Sequence, residues 1–187
     1  MENCDFENQH VENMGYCPND DTVGGTAVDF FGIPAAHVET FTKPTLTATS
    51  KYGERLTIAA NGIVPKATKG WKKVTMMVDE SEIKPMLVGN KGNKKQKIDF
   101  DAYIPNLIAR NVGFVDANKN TPMIWAIPDS TGEIWIVGTP TAPAFFDKAD
   151  GTSGKKYEDN SGIAITVTAN TKPYVYAGEI VELADTP

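Results

Sequence analysis

Residues 123–137 read MIWAIPDSTGEIWIV, and this stretch decides the fold. Two apolar runs, Met123 to Ile127 and Ile134 to Val137, flank Pro128-Asp129-Ser130-Thr131-Gly132. The five residues between them are a turn signature: Pro presets φ, Asp and Ser bond their own backbone, and Gly accepts positive φ. Apolar runs without polar alternation need cover on both faces. The stretch therefore predicts a β-hairpin at the centre of the core, with Trp125, Ile127, Ile134 and Ile136 as core residues.

Outward from the hairpin the dominant period is two. In residues 94–103, Ile98, Phe100 and Ala102 face one way while Asp99, Asp101 and Tyr103 face the other, which is the clearest amphipathic strand in the chain. Ile163, Ile165 and Val167 alternate with Ala164, Thr166 and Thr168. Ile98, Phe100, Ile165 and Val167 join the expected core. Shorter alternations occur at 55–60 and at 71–78, and a last strand is expected within 175–183. Residues 41–50 (FTKPTLTATS) suit an edge or extended piece, because Pro44 excludes a central strand. One helix is expected over 104–112: Pro105 fits a first turn, Ile104, Leu107, Ile108 and Val112 fall at i, i+3, i+4 and i+8, and Gly113 supplies a stop. Residues 139–154, rich in Pro, Ala and Gly, are expected as a loop. Seven or eight strands with turns between them imply an all-β sandwich or barrel with one short flanking α-helix. Residues 26–187 form a single β-sandwich domain on this reading. Residues 1–25 are acidic and Asn-rich without periodicity, an arm or irregular segment.

Composition narrows the function. The chain has 187 residues, 41% hydrophobic and 22% charged, so it can bury a core and is not disordered by default. Sixteen Gly and twelve Pro favour short elements and turns. No apolar run approaches the ~18 residues of a membrane span. The first ten residues are polar and acidic, which predicts no secretory signal. Two cysteines cannot build a disulfide framework, and synthesis inside a cell keeps them reduced. A net charge of −6 argues against a surface that grips nucleic acid.

Catalytic material is sparse. Cys4, His10, Cys17 and His37 are the only Cys and His, and no two stand at the two-to-five-residue spacing of zinc ligand pairs. Gly151-Thr152-Ser153-Gly154-Lys155 has two residues between its glycines where a phosphate loop has four, and reads as a flexible loop. Asp116, Asn118 and Asn120 match the opening of a calcium loop, but Thr121 stands where its glycine belongs and Ile127 where its glutamate belongs. Lys94, Lys95 and Lys97 follow the turn at 89–93 and read as a solvated hairpin with edge-protecting lysines. Trp71, Trp125 and Trp135 offer the one binding alternative, an aromatic platform of a carbohydrate-binding β-sandwich module or adhesin. Trp125 and Trp135 sit in the most apolar segments and read as core, whereas Trp71 is expected to be exposed. No enzyme, catalytic residue, metal site or cofactor is expected.

An ordered series of turns and strands carries a family likeness. It comprises Gly89-Asn90-Lys91-Gly92-Asn93-Lys94-Lys95 before the strand ending at Phe100, the connector 104–112, and the Asn-rich turn at 118–120. It continues through the hairpin with Asp129 to Gly132, Glu133 to Gly138, Pro143-Ala144, the loop 151–160, the strand 162–168, and Pro173-Tyr174-Val175-Tyr176-Ala177-Gly178. In this order residues 86–180 resemble the major tail tube proteins of long-tailed bacteriophages, especially those of Bacteroides-type hosts. The resemblance covers about half the chain. It implies a virion protein of the tail, made in the host bacterial cytoplasm, whose six copies form a ring and whose rings stack into a tube. Its implied partners are further copies of itself, other tail proteins and double-stranded DNA in passage without specific binding, and no membrane. Asp99, Asp101 and Tyr103 would then line a wet, net-negative lumen that repels phosphate, and the long loops with the 1–25 arm would serve stacking.

Overall fold

A computed structural model of the chain describes residues 11–14, 24–47 and 49–183. At its centre lie β8 (Met123–Pro128) and β9 (Ile134–Val137), numbered in chain order, paired antiparallel with Trp125 opposite Val137 and Ile127 opposite Trp135. Both faces of β8 are covered. Met123, Trp125 and Ile127 enter one apolar cluster, while Ile124 and Ala126 enter a second on the opposite face.

The other strands are arranged around this pair. On the far side of β8 lie β1 (Asp29–Pro34) and, beyond it, β5 (Lys72–Thr75). Beside β9 lies β12 (Tyr174–Tyr176), followed by the parallel β3 (Thr57–Ile58). The chain leaves β9 through Gly138, and β10 (Ala144–Thr152) touches β8 at a single register position, Ala144 opposite Met123. From there the sheet continues antiparallel through β11 (Gly162–Ala169), β7 (Lys95–Pro105) and the edge strand β6 (Glu82–Val88). This ten-stranded sheet folds over on itself. Phe30 of β1 meets Phe100 of β7 at 5.2 Å and Trp125 of β8 at 5.3 Å between ring centroids. A small second sheet, β2 (Val38–Phe41) with β4 (Ile63–Pro65), helps to close the second cluster. Twelve strands, one α-helix and two single-turn 3₁₀ helices among the described residues make the fold all-β.

Ile98, Phe100, Trp125, Ile127, Ile136, Ile165 and Val167 are buried, and Ile134 is half-buried at the rim of the second cluster. Three expectations need correction. The helix α1 spans Ala109–Asn118, not 104–112. Ile104 and Pro105 finish β7, opposite Ile163 and Gly162, because the buried alternation of that strand continues through Ile104. The helical spacing of Leu107, Ile108 and Val112 was coincidental, and all three are exposed. The helix passes through Gly113 and packs Phe114 and Val115 against the core. Residues 144–152 form a nine-residue strand where a loop was expected; a register shift between Phe146 and Lys148 breaks the period-two pattern there. Trp71 is 3% exposed and belongs to the second cluster.

Candidate functional site

Alternation along β7 puts Lys95, Lys97, Asp99, Asp101 and Tyr103 on the face away from Ile98, Phe100, Ala102 and Ile104. Register then brings Val88, Met86, Lys84 and Glu82 of β6 opposite Lys95, Lys97, Asp99 and Asp101, and Thr168 and Thr166 of β11 opposite Asp99 and Asp101. The polar groups of this face bond to one another. Thr168 Oγ1 donates to Asp99 at 2.7 Å, and Lys97 Nζ lies 3.1 Å from the same carboxylate. Thr166 Oγ1 donates to Asp101 at 2.6 Å, and Lys84 Nζ donates to it at 2.7 Å while also reaching Glu82 at 3.0 Å.

The electrostatics follow from that geometry. Burial alone would raise the Asp101 pKa, but the hydrogen bonds from Lys84 and Thr166 and the nearby positive charges of Lys84 and Lys148 outweigh it and hold the carboxyl below its usual range. Lys84, bonded to Asp101 and Glu82, is raised above the ordinary lysine range. Across β6 and β7 the carboxylates Glu82, Asp99 and Asp101 are matched by Lys84, Lys95 and Lys97. The face expected to be net negative is therefore charge-balanced, because the same parity that exposes the two aspartates also exposes two lysines of the strand. Lys94 precedes β7 and is exposed. Tyr103 is half-buried, its ring lying over Gly162, where an added Cβ would come within 2.5 Å of it, and its hydroxyl is buried with no hydrogen-bond partner among the described residues.

Beyond this face β6 is an open edge. No strand among the described residues pairs with it on the side away from β7. Met86, Leu87 and Val88 are all exposed there, Leu87 at 66%. Pro85 removes one N–H from the middle of the edge, leaving the apolar end toward the 89–93 turn.

The other sequence candidates do not assemble into sites. Trp71 and Trp125 are buried, and the half-buried Trp135 donates its indole N–H to Asp129 at 2.9 Å, so no aromatic platform is presented. Asp116 and Asn118 lie within α1, and Asp116 pairs with Lys119 at 2.7 Å. Gly151 and Thr152 end β10, and in the loop that follows Lys155 N and Lys156 N both donate to Asp159, which folds the loop onto a carboxylate. His37 is half-buried, whereas Cys4, His10, Cys17 and most of the 1–25 arm lie outside the described residues. Among the described residues no three His, Cys, Asp or Glu side chains gather for a metal, and no helix is long and apolar enough to cross a membrane. Sequence reading found Asp99 and Asp101 but missed Lys84, Thr166 and Thr168. Their signal was present in the alternation of 82–88 and 163–168, but which strands are neighbours is a long-range fact. No family model, curated protein or solved structure matches this chain.

Proposed function

We propose that the chain is a structural subunit of a bacteriophage tail tube, assembling into stacked hexameric rings around a channel for DNA ejection. The observation that carries this reading is the open β6 edge, with Met86, Leu87 and Val88 exposed beside the eleven-residue strand β7. An exposed apolar edge invites pairing with another chain, and closure into a ring is one arrangement that uses such edges without open-ended aggregation. The β6–β7–β11 face suits a channel wall for a different reason from the one first expected. Lys84 and Lys97 are engaged by Glu82, Asp101 and Asp99, and the charges of the two strands balance, so the face offers DNA phosphates no strong attractive or repulsive field. The role needs no catalytic group or cofactor, and its place is the virion tail.

Electron microscopy of the purified full-length chain tests the reading, with stacked six-fold rings as the expected result. Leu87→Lys should abolish the rings while leaving the melting curve within about 0.5 kcal/mol of the parent, because Leu87 is a surface residue of the single chain. A protein that stays monomeric at high concentration overturns the proposal.

A further inference from the structure

The strands β10, β11, β7 and β6 lie side by side, each antiparallel to the next, so β6 runs opposite to β10. Among the described residues both outer strands of this group are edges: β6 has no further partner, and β10 meets β8 only at Ala144. Past Phe146 every residue of β10 is exposed. Alternation fixes where the backbone groups point. Tyr103 O of β7 accepts from Met77 N at 2.8 Å, away from β11, and Asn106 N donates to Ser161 O at 2.8 Å, towards β11. Alternate residues of an antiparallel strand direct their N–H and C=O groups to opposite neighbours. Carried across the register, this turns the backbone groups of Ile83 and Leu87 outward from β6, and those of Phe146, Ala149 and Gly151 outward from β10. Pro85 adds an outward carbonyl without an N–H.

We propose that β6 of one copy adds antiparallel to β10 of the next, with Leu87 opposite Phe146 and Lys84 opposite Asp150. The shift between Phe146 and Lys148 accounts for the extra residue of β10 between the two pairs. In this register Val88 covers Phe145, which is 45% exposed in the single chain. Asp150, which has no hydrogen bond or ion pair among the described residues, gains a cation. Ile83 and Pro85 meet the small residues Gly151 and Ala149. Other registers fare worse. A slip of one residue turns every side chain to the wrong face. A slip of two towards Ala144 sets Lys84 opposite Lys148 and Glu82 opposite Asp150, like charges that repel, and drives Leu87 onto a position already held by β8. The opposite slip sets Met86 and Val88 against Asp150 and Lys148 and uncovers Phe145. Pairing of β6 with β6 of another copy, centred on Pro85, faces two prolines that lack an N–H and sets Lys84 against Met86. A contact between unlike edges leaves each copy one of each kind for its next neighbours, so it propagates head to tail and can close into a ring. The inference rests on the reading that the β6 edge meets a second copy, and adds which strand it meets and in what register.

Val88 and Phe145 would form a pair with Cα atoms about 4.5 Å apart, within reach of a disulfide. Full-length protein with Cys4→Ser and Cys17→Ser is therefore given Val88→Cys and Phe145→Cys and mildly oxidised. A ladder of multimers that reductant collapses is expected on a gel. The pair Val88→Cys with Lys148→Cys, a diagonal ~7–8 Å apart, should crosslink at least ~10-fold more slowly; equal or faster crosslinking overturns the register. Sedimentation velocity on protein with both native cysteines supplies a second measurement. Asp150→Lys should weaken association roughly 3-fold or more relative to Glu39→Lys, which changes the charge equally on the exposed part of β2. Equal association of the two variants overturns the pairing of Lys84 with Asp150. Six-fold rings without a ladder refute this seam and leave the tube standing. A ladder from protein that never closes into six-fold rings supports the seam and refutes the tube, and the absence of both refutes both.

Discussion

The Asp129 carboxylate accepts four hydrogen bonds: from Thr131 N at 2.9 Å, Thr131 Oγ1 at 2.6 Å, Glu133 N at 3.0 Å and Trp135 Nε1 at 2.9 Å. One side chain thus closes the β8–β9 turn and orients an indole. Asp129→Ala should cost about 1–3 kcal/mol in urea denaturation, since it leaves a half-buried indole N–H unpaired; an unchanged midpoint would refute that role. Gly138 holds the other end of β9. Its φ is +96°, and an added Cβ would sit 2.8 Å from Ala144 N and 2.9 Å from Met123 O. Gly138→Ala is expected to lower stability by about 1–3 kcal/mol through backbone strain and displacement of β10, read as a fall in Tm. At this scale the Pro-Asp-Ser-Thr-Gly signature was legible, because turn chemistry is local. The Trp135 bond and the tight passage at Gly138 were not, because each depends on what folds against it. Trp71 shows the same limit: its neighbours Gly70 and Lys72 suggest exposure, yet distant strands bury it.

Elements were legible where both the period and the pairing stayed regular. The strands β7 and β11 keep their alternation without a break, and eight consecutive register pairs join them. β10 loses its pattern at the shift between Phe146 and Lys148, so its sequence looked like a loop. The helix was expected five residues too early because Ile104 belongs to a strand and also completes a helical spacing, and sheet pairing overrode the weaker local preference. The polar ladder across β6, β7 and β11 supplies a pH test of the element. Asp101 has a folded pKa below its unfolded value of ~3.9. Its contribution is therefore fully present above that unfolded value and is lost as pH falls through the lower folded one. Asp101→Asn should cost about 0.5–1 kcal/mol at pH 7, a modest figure because the side chain is 35% exposed and water screens the Lys84 pair. The difference from the parent should shrink as the pH falls below ~4, which denaturation midpoints at the two pH values would check. A constant difference would mean that the carboxylate charge is irrelevant to the ladder.

For the whole molecule, Phe30 joins the two halves of the folded sheet. It is fully buried and contacts an aromatic ring in each half. Phe30→Ala should destabilise by about 3–5 kcal/mol and lower the cooperativity of unfolding, because it empties the seam between β1–β8 and β7–β11; calorimetry would show both effects. Amino-acid order alone determined the all-β class, the central hairpin and the alternation that separates Ile98 and Phe100 from Asp99 and Asp101. Those features rest on local turn chemistry and on the two-residue period of an extended chain. Only the tertiary structure decided that β6 ends the sheet among the described residues, that Lys84 and two threonines bind the aspartates, and that distant strands bury Trp71. Strand order, register and sheet curvature arise from contacts between residues far apart in the chain, and it is those contacts that set which charges meet and which apolar surface stays open.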